Sequence, residues 1–346
     1  MQEIIKIDMP QDVVEIIQGL CSHGFAAYAV GGCVRDTLLG VEPKDWDITT
    51  SASPVQVKEI FGHTLDTGIE HGTVTIMRGK IGYEVTTYRI DGKYSDGRHP
   101  DQVKFTPNLF EDLRRRDFTI NAMAYSDETG LVDEFCGMED LEKKVVRCVG
   151  EAKERFQEDA LRMLRAIRFS AQLGFTIESD TWQAMIQMAK NLSLVSKERI
   201  LVELTKTICS SHPEMVKKIF DSGLHKEIGQ HFSSLSARDA EVMAFSGQLP
   251  EEKHLRFALL FKNKSGEEAK AILKELKADN DTIKKVKILV EYIDRKLPRN
   301  EKRMRQALSE IGPERVRDWI LLKKVLGEEV EDFQNRLQEI LERGDA

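Results

Sequence analysis

The stretch Gly31-Gly32-Cys33-Val34-Arg35-Asp36 is followed nine residues later by Asp45-Trp46-Asp47. In an extended strand successive side chains alternate between faces, so Asp45 and Asp47 are expected on one face. Two such carboxylates repel each other unless a cation neutralises them. A few hard oxygen ligands suit Mg²⁺, which shares its other positions with water and substrate phosphates. The stretch therefore predicts a site for metal and phosphate, with a solvated acidic turn as the alternative.

The glycine pair follows a short apolar run at 26–30, which predicts a β-strand that ends at Gly31. The backbone N–H groups of Gly31 and Gly32 can approach phosphate oxygens closely, and the Arg35 guanidinium can form paired hydrogen bonds to them. The chain has no Gly-x-x-x-x-Gly-Lys-[Ser/Thr] motif, which excludes a P-loop. A glycine pair alone is equally typical of an ordinary turn.

A third acidic residue, Glu84, lies in a β-rich run over 83–89. If that strand neighbours the segment with Asp45 and Asp47, Glu84 adds a carboxylate to the pair. Three carboxylates that hold two Mg²⁺ ions suit in-line displacement at a phosphate. The alternative for Glu84 alone is a solvent-facing strand residue.

The composition is that of a globular protein, with 41% hydrophobic and 32% charged residues in a chain of 346. No apolar run approaches the ~20 residues of a membrane span, and the N-terminus lacks a signal-peptide pattern, so no membrane partner is expected. The 5 scattered cysteines favour core residues in a cytoplasmic protein. The net charge of −7 argues against indiscriminate nucleic-acid binding, although residues 262–305 hold 14 Lys or Arg against 8 Asp or Glu.

Secondary-structure patterns change near residue 150. Before it, the sequence predicts helices over 13–20 and after the Ser53-Pro54 cap, strands over 26–30, 45–49, 73–78 and 83–89, a hairpin turn at 79–82 and a mobile loop over 91–107. After it, helical periodicity covers 151–173, 181–192, 196–209 and the segments out to 343. We therefore expect an α+β protein with a head at 1–145 that has a small mixed or antiparallel sheet, a helical neck at 146–208 and a helical body at 209–346.

A basic triplet, Arg114-Arg115-Arg116, continues into Asp117-Phe118-Thr119-Ile120-Asn121. A charge run alone is most often a solvated face of a protein. The apolar Phe118 and Ile120 indicate that part of the segment is anchored. Arg116, Asp117 and Asn121 are then candidates to hold ribose and phosphate.

Residues 158–169 combine acidic and basic residues at helical spacing. On a helix, Asp159, Arg162 and Arg165 share a face, and Arg168 follows at the same spacing. A carboxylate beside a guanidinium presents an acceptor next to a donor, which complements the pairing edges of cytosine and adenine but not those of guanine and uracil. One Asp–Arg pair can therefore select C and A without a template. The alternative is an exposed ion pair worth a few tenths of a kcal/mol.

Motifs GGCVRDTLLG with DWD, YEVTTYR, YSDGRHP, RRDFTINA and EDALRMLRAIRF occur in this order. With them the chain resembles the class II tRNA nucleotidyltransferases, the family that builds or repairs the 3′ CCA end of tRNA. The resemblance covers about residues 20–210 closely and the rest loosely. It implies a nucleotidyltransferase head and template-independent addition of C and A to the tRNA 3′ end from CTP and ATP, with Mg²⁺ as cofactor and pyrophosphate released.

The resemblance also implies roles for individual residues. Asp45 and Asp47 would bind Mg²⁺ in catalysis, with Glu84 as the third acidic member. For the nucleotide, Gly31, Gly32 and Arg35 would hold the triphosphate, and Arg116, Asp117 and Asn121 the ribose region. Asp159 and Arg162 would read the base, and Glu158 would orient Arg162. Arg165 and Arg168 would be further nucleotide contacts.

Related activities stay open. Bacterial poly(A) polymerases share much of the head, but Glu70–Val74 resembles the nucleotidyltransferases, and the loop Tyr94–Pro100 argues against a dedicated CC-adding enzyme. An A-adding enzyme, a poly(A) polymerase or a non-catalytic RNA-binding paralogue remain alternatives.

Family members usually continue into a tail region that binds tRNA, whereas this chain stops at Ala346. We therefore expect weak tRNA affinity, with the basic segment 262–305 as the remaining contact.

Overall fold

The computed structural model describes residues 5–92 and 103–343. The chain divides into two compact units, of which the first comprises Met1–Arg162 and Thr176–Met185 and the second Met163–Phe175 and Ile186–Ala346. The finer division into head, neck and body stays a prediction. None of the helices in the described ranges combines the length and the apolar composition that crossing a bilayer requires.

Strands and helices follow one another along the first unit, and helices make up the second. The strands are β1 (Ala27–Val30), β2 (Ile48–Thr50), β3 (Thr64–Gly68), β4 (Thr73–Arg78), β5 (Ile81–Thr87), β6 (Arg89–Asp91), β7 (Val103–Phe105), β8 (Ala124–Ser126), β9 (Gly130–Val132), β10 (Val145–Val146) and β11 (Thr176–Ile177). The helices are α1 (Gln11–Ser22), α2 (Gly32–Leu38), α3 (Pro54–Ile60), α4 (Leu109–Arg114), α5 (Gly137–Glu142), α6 (Ala152–Glu158), α7 (Leu161–Leu173), α8 (Ser179–Met188), α9 (Lys197–Ile208), α10 (Lys217–Asp221), α11 (His225–Ile228), α12 (Ala237–Glu241), α13 (Lys253–Leu260), α14 (Gly266–Glu275), α15 (Asn280–Ile293), α16 (Glu301–Val325) and α17 (Glu331–Glu342).

The main sheet of the first unit has the strand order β3-β4-β5-β2-β1-β8-β9. Strands β2 and β5 run parallel, with Ile48 opposite Val85, whereas the other neighbours in this sheet pair antiparallel. A parallel pair needs a crossover connection, which α3, β3 and β4 supply here. The predicted mixed sheet is confirmed, and the condition stated for Glu84 is met, because its strand β5 pairs with β2, the strand that follows Asp47.

Local signals set several boundaries as predicted. The Ser53 hydroxyl accepts from the backbone N–H of Gln56, and the Gln56 side chain accepts from the N–H of Ser53, which forms a capping box at the start of α3. The hairpin between β4 and β5 is tighter than predicted, because Ile81 pairs with Arg78. Only two residues remain for the turn, and Gly79 adopts the left-handed conformation, with φ 60°.

The segment predicted as a mobile loop over 91–107 contains a strand. Strand β7 pairs antiparallel with β6, and Asp91 lies opposite Val103. A loop over the whole range is therefore wrong, because backbone hydrogen bonds order its second part. The predicted loop Tyr94–Pro100 lies outside the described residues.

The second unit is helical, as the periodicity after residue 150 predicts. Trp319 of α16 is 1% exposed and lies edge-on to the rings of Tyr292 and Phe333, at centroid distances of 5.3 and 6.1 Å. Helix α16 is interrupted at Gly312, which has φ 79° and precedes Pro313. Glycine tolerates this left-handed backbone and proline cannot continue the helical ladder, so the break follows from the sequence.

The cysteine prediction is confirmed for part of the set. Cys33 and Cys148 are buried, and burial raises the pKa of their thiols to about 11 and about 12, respectively. Cys136 is exposed, and the remaining two are partly buried. All five thiols are free.

A buried carboxylate, that of Asp112 within α4, anchors the basic triplet. Its Oδ1 accepts from Nε and Nη2 of Arg115 at 2.9 and 2.7 Å, and its Oδ2 accepts from Arg116 Nη2 at 3.4 Å and from the Thr49 hydroxyl at 3.2 Å. Burial alone would raise the pKa of Asp112, but the Arg115 and Arg116 guanidiniums and these hydrogen bonds hold it below its usual value. Asp112 is 0% exposed, so its charge depends on these partners.

Replacing Asp112 tests this anchor. Asp112→Asn keeps the size of the side chain but removes its charge, and we expect the free energy of unfolding near neutral pH to fall by about 3 kcal/mol, because a broken buried ion pair leaves charge without compensation. Urea denaturation measures this change. The matched control is Asp66→Asn, which removes an exposed partner of Lys58 and should cost at most about 1 kcal/mol.

Wild type and Asp112→Asn also give a pH test of this anchor. Because the folded-state pKa of Asp112 lies below its unfolded value, its contribution is complete above about pH 4 and is lost as the pH falls through the folded-state pKa. The stability gap between wild type and Asp112→Asn should therefore narrow on acidification. A gap that stays constant would contradict the charge-based anchor.

Candidate nucleotide and metal site

The two aspartates of the Asp-x-Asp motif lie just before a strand rather than within it. Strand β2 begins at Ile48, so the predicted strand over 45–49 starts too early. The backbone is nevertheless extended enough for the Asp47 carbonyl to accept from the N–H of Val30, at 3.0 Å. Asp45 and Asp47 are exposed while Trp46 between them is buried, as strand-like alternation predicts. The predicted strand boundary is therefore wrong, and the shared face stays a prediction that this pattern of exposure favours.

The three predicted acids border one cleft of the first unit. Because Ile48 lies opposite Val85 in parallel strands, the preceding residues Asp47 and Glu84 are neighbours as well. The cleft has a volume of about 740 Å³. Its lining residues are Asp8, Met9, Pro10, Glu42, Pro43, Lys44, Asp45, Trp46, Asp47, Ile81, Gly82, Tyr83 and Glu84.

Neighbouring charges change the acidity of Asp47. Desolvation by the surrounding protein, followed by the negative charge of Asp45 and, more weakly, of Glu84, raises the pKa of Asp47 to about 6, against the opposing charge of Arg116. Across the residues that the structure describes, no three His, Cys, Asp or Glu side chains converge tightly enough to hold an ion. The two aspartates still fit Mg²⁺, which usually takes one or two protein carboxylates. Glu84 as a third ligand stays a prediction.

Gly31 and Gly32 differ in what they do. Gly31 has φ 82°, a conformation that favours glycine, and its N–H donates to the Met123 carbonyl at 3.1 Å. A Cβ at Gly31 would lie 3.1 Å from Arg116 Nη1. Gly32 is the first residue of α2. The absent side chain at Gly31 therefore lets the Arg116 guanidinium approach the backbone of the glycine pair.

A hydrogen-bonded chain joins two of the predicted motifs. Arg35, 8% exposed, donates from Nη1 to Asn121 Oδ1 at 2.5 Å, and from Nε and Nη2 to Asp36 Oδ1 at 2.8 and 2.7 Å. Asn121 Nδ2 in turn donates to Asp117 Oδ1 at 3.1 Å. The structure thus brings together Arg35, Asp117 and Asn121, which lie 86 residues apart at the extremes. Charge-assisted bonds of this kind hold the guanidinium in one orientation.

The basic triplet is anchored except at its first residue. The Arg114 side chain is 60% exposed, against 18% for Arg115 and 19% for Arg116. Both Arg115 and Arg116 pair with Asp112. The interpretation as a solvated face therefore applies to Arg114 alone, and Arg116 is held beside Gly31.

The segment around Asp159 is a junction between helices and not one continuous helix. Asp159 has φ −143° and ψ 104°, where α6 ends. Its Oδ1 accepts from the Leu161 N–H at 3.0 Å, so it caps the following helix α7. The predicted single helix over 151–173, with Asp159 and Arg162 on its face, is wrong for this reason. The two residues are still brought close by the cap, since the Arg162 N–H donates to the Asp159 carbonyl at 3.0 Å.

Arg162 is held from two sides. Its Nη1 donates to Glu158 Oε2 at 2.8 Å, and its Nη2 donates to the backbone carbonyl of Arg115 at 3.0 Å. Arg162 is 9% exposed. Glu158 therefore contacts Arg162, and its role in orienting Arg162 toward a base stays a prediction.

Arg165 and Arg168 belong to the second unit. The Arg168 Nε donates to Glu203 Oε2 at 2.6 Å in a buried ion pair, and its guanidinium lies over the Phe169 ring at 4.0 Å. Arg165 is partly buried and lies 5.4 Å from the same ring centroid. Their roles as nucleotide contacts stay predictions.

The sequence reasoning missed several supporting residues. Asp112 precedes Arg115 and Arg116 by three and four residues, a spacing that typically pairs charges on a helix, so a signal existed. Asp36 lies within a quoted motif but was given no role. Arg155 precedes Glu158 by three residues and donates to its Oε1 at 2.5 Å. In each case the missed residue holds a predicted one rather than facing the cleft.

Comparisons with known proteins agree with the motifs. Residues 27–147 match a family described as "Poly A polymerase head domain", and residues 174–234 match "Probable RNA and SrmB- binding site of polymerase A". The chain is 50% identical over 206 residues to a CCA-adding enzyme of Leuconostoc mesenteroides, an alignment that covers 59% of this chain and 51% of the relative. The chain therefore spans about half the length of this curated relative.

Two further similarities extend over most of the chain. A CCA-adding enzyme of Pediococcus pentosaceus is 40% identical over 328 residues, which cover 92% of this chain and 81% of that protein. The structure of the Bacillus stearothermophilus CCA-adding enzyme in complex with CTP matches with a TM-score of 0.81 at 33% identity, covering 95% of this chain and 81% of that chain. The resemblance found in the motifs is confirmed: the chain belongs to the family of tRNA nucleotidyltransferases and poly(A) polymerases, and its similar relatives there are CCA-adding enzymes.

Proposed function

We propose that this protein is a CCA-adding tRNA nucleotidyltransferase, which adds C and A to the 3′ end of tRNA from CTP and ATP and releases pyrophosphate. The observation that carries the proposal is the pair of exposed aspartates, Asp45 and Asp47, beside Glu84 at the cleft. The names of the relatives, CCA-adding enzymes, and the complex of one of them with CTP support it.

The proposed metal is Mg²⁺, held by Asp45 and Asp47 with Glu84 as the third acid. When bound, it would supply positive charge to the attacking hydroxyl and the phosphates during an in-line displacement. The protein's own part in such a transfer is mainly positioning and charge stabilisation. Gly32 and Arg35 are proposed to hold the triphosphate.

The ribose region and the base would be bound by other segments of the first unit. Arg116, Asp117 and Asn121 are proposed to contact the ribose region, where the bond from Asn121 to Asp117 restricts both side chains. Asp159 and Arg162 are proposed to read the donor and acceptor pattern of the base edge. The restraint of Arg162 by Glu158 supports this role, because a flexible arginine could not present a defined donor pattern.

Contact with tRNA is proposed for the basic segment 262–305. Part of its positive charge is already paired inside the segment, as Lys287 and Lys270 are with Glu267 and Lys285 is with Asp281. The remaining surplus favours a modest, salt-sensitive contact with phosphates. The five free thiols support a cytoplasmic location.

A nucleotide-transfer assay tests the proposed reaction. The protein is incubated with Mg²⁺, labelled CTP, ATP or both, and one of two tRNAs, which either lacks its whole 3′ CCA end or already ends in CC. We expect products extended by C, CC and, with both nucleotides, CCA. Products ending in A only on a tRNA that already carries CC would assign an A-adding enzyme, long A tails a poly(A) polymerase, and no extension a binding protein.

Substitution of the aspartates tests the metal assignment. Asp45→Asn and Asp47→Asn keep the side-chain size, and we expect each to lower the transfer rate by about a thousandfold or more, because metal-assisted charge stabilisation is worth several kcal/mol. Asp66→Asn, an exposed carboxylate on β3, serves as the control and should retain the wild-type rate. Activity near wild type in either cleft variant would refute the assignment.

Substitution at the base-reading pair tests nucleotide choice. Arg162→Ala removes the donors, and Asp159→Asn changes the acceptor while it keeps an oxygen for the cap of α7. We expect both variants to use UTP and GTP more readily relative to CTP and ATP, measured as ratios of kcat/KM. Selectivity equal to that of the wild type in both variants would contradict the proposed base reading.

A further inference from the structure

Arg155 has no part in the reaction proposed above, yet it lies in a largely buried cluster with Glu158 and Arg162. Arg155 Nη2 donates to Glu158 Oε1 at 2.5 Å, and Arg155 Nη1 donates to the carbonyl of Arg114 at 2.9 Å. On the other oxygen of the same carboxylate, Arg162 Nη1 donates at 2.8 Å, while Arg162 Nη2 donates to the carbonyl of Arg115 at 3.0 Å. We call this arrangement the Glu158 clamp.

The backbone carbonyls of Arg114 and Arg115 fix the position of the Glu158 clamp. Arg114 is the last residue of α4 and Arg115 its C-terminal cap, and the final carbonyls of a helix lack partners within the helix. Bonds from guanidiniums to such carbonyls are charge-assisted and directional. The end of α4 therefore determines where both guanidiniums lie, and Glu158 connects them.

The clamp determines which N–H groups of Arg162 remain available to a substrate. A guanidinium has five N–H groups, and the two bonds of Arg162 use one on each Nη. Without Arg155, Glu158 Oε1 would lose one of its donors and the carboxylate would be free to turn. The planar fork of Arg162 could then pair with both carboxylate oxygens, which would redirect its remaining donors.

We propose that Arg155 is a positioning residue for nucleotide choice: it holds Glu158 from the side opposite Arg162 and so fixes the direction in which Arg162 presents its donors. The inference rests on the proposed base-reading role of Arg162. Arg155 acts through Glu158 and not on the nucleotide, so its removal should alter discrimination between bases more than the rate with the correct ones.

The test compares wild type with Arg155→Ala, Arg155→Lys and a control, Arg147→Ala. Arg147 also bridges two carboxylates of the first unit, Asp140 and Glu178. Each protein is assayed on tRNA lacking its 3′ CCA end for CTP and UTP and on tRNA ending in CC for ATP and GTP, with kcat and KM determined separately for each nucleotide. We expect Arg155→Ala to reduce the preference for CTP over UTP, and for ATP over GTP, by about tenfold or more, since small misplacements of a positioning group have effects of this size.

The lysine variant separates positioning from support of the fold. Arg155→Lys keeps the charge and one bond to Glu158 but loses the fork, so it should recover part of the selectivity, and Arg147→Ala should keep all of it. An equal loss of kcat/KM for all four nucleotides in both Arg155 variants, or wild-type selectivity in Arg155→Ala, would overturn the inference alone. A wild-type protein that transfers no nucleotide would overturn the proposed function and the inference with it.

Discussion

The buried carboxylate of Asp112 determines how Arg115 and Arg116 of the basic triplet are arranged. Asp112 is fully buried and needs the guanidiniums of Arg115 and Arg116 to remain charged. Removing either cation would leave a buried charge poorly compensated, which costs several kcal/mol. The positions of α4 and of the two arginines are therefore coupled, and Arg116 comes to lie beside the backbone of Gly31.

Three of the candidate nucleotide-binding arginines are held in the same way, by neighbouring acceptor groups. Arg35 is held by Asp36 and Asn121, Arg162 by Glu158 and a helix-terminal carbonyl, and Arg116 by Asp112. A free arginine has about 2 kcal/mol of side-chain entropy to lose on binding. Because these side chains are already ordered by neighbours, a nucleotide would meet donors whose directions are set in advance. The acids that do this lie close in sequence to the arginines that they hold.

Prediction from sequence succeeded where a local rule applied. It failed where contacts with neighbouring segments determined the secondary structure. The Ser53 cap and the β-rich runs followed from residue type and period. The shared face of Asp45 and Asp47 stays a prediction, because β2 starts later than predicted and only Ile48 onward pairs with β5. The prediction of one continuous helix through Asp159 was wrong. The backbone of Asp159 ends α6, and its carboxylate caps α7.

The sequence by itself determined the residue types of the site, the family and the change from mixed to helical structure, because motif order and periodicity are properties of the chain alone. Only the tertiary structure decided which residues meet: Arg35 with Asn121, and Arg155 and Arg162 on the two different oxygens of Glu158. It also brings Glu84 close enough for its charge to act on Asp47. The physical reason is that sheet register and the burial of charge act between distant segments. The Gly31–Asp47 stretch thus contains the two aspartates and holds Arg35 through Asp36, while the directions of Arg116 and Arg162 depend on carboxylates and a carbonyl elsewhere in the first unit.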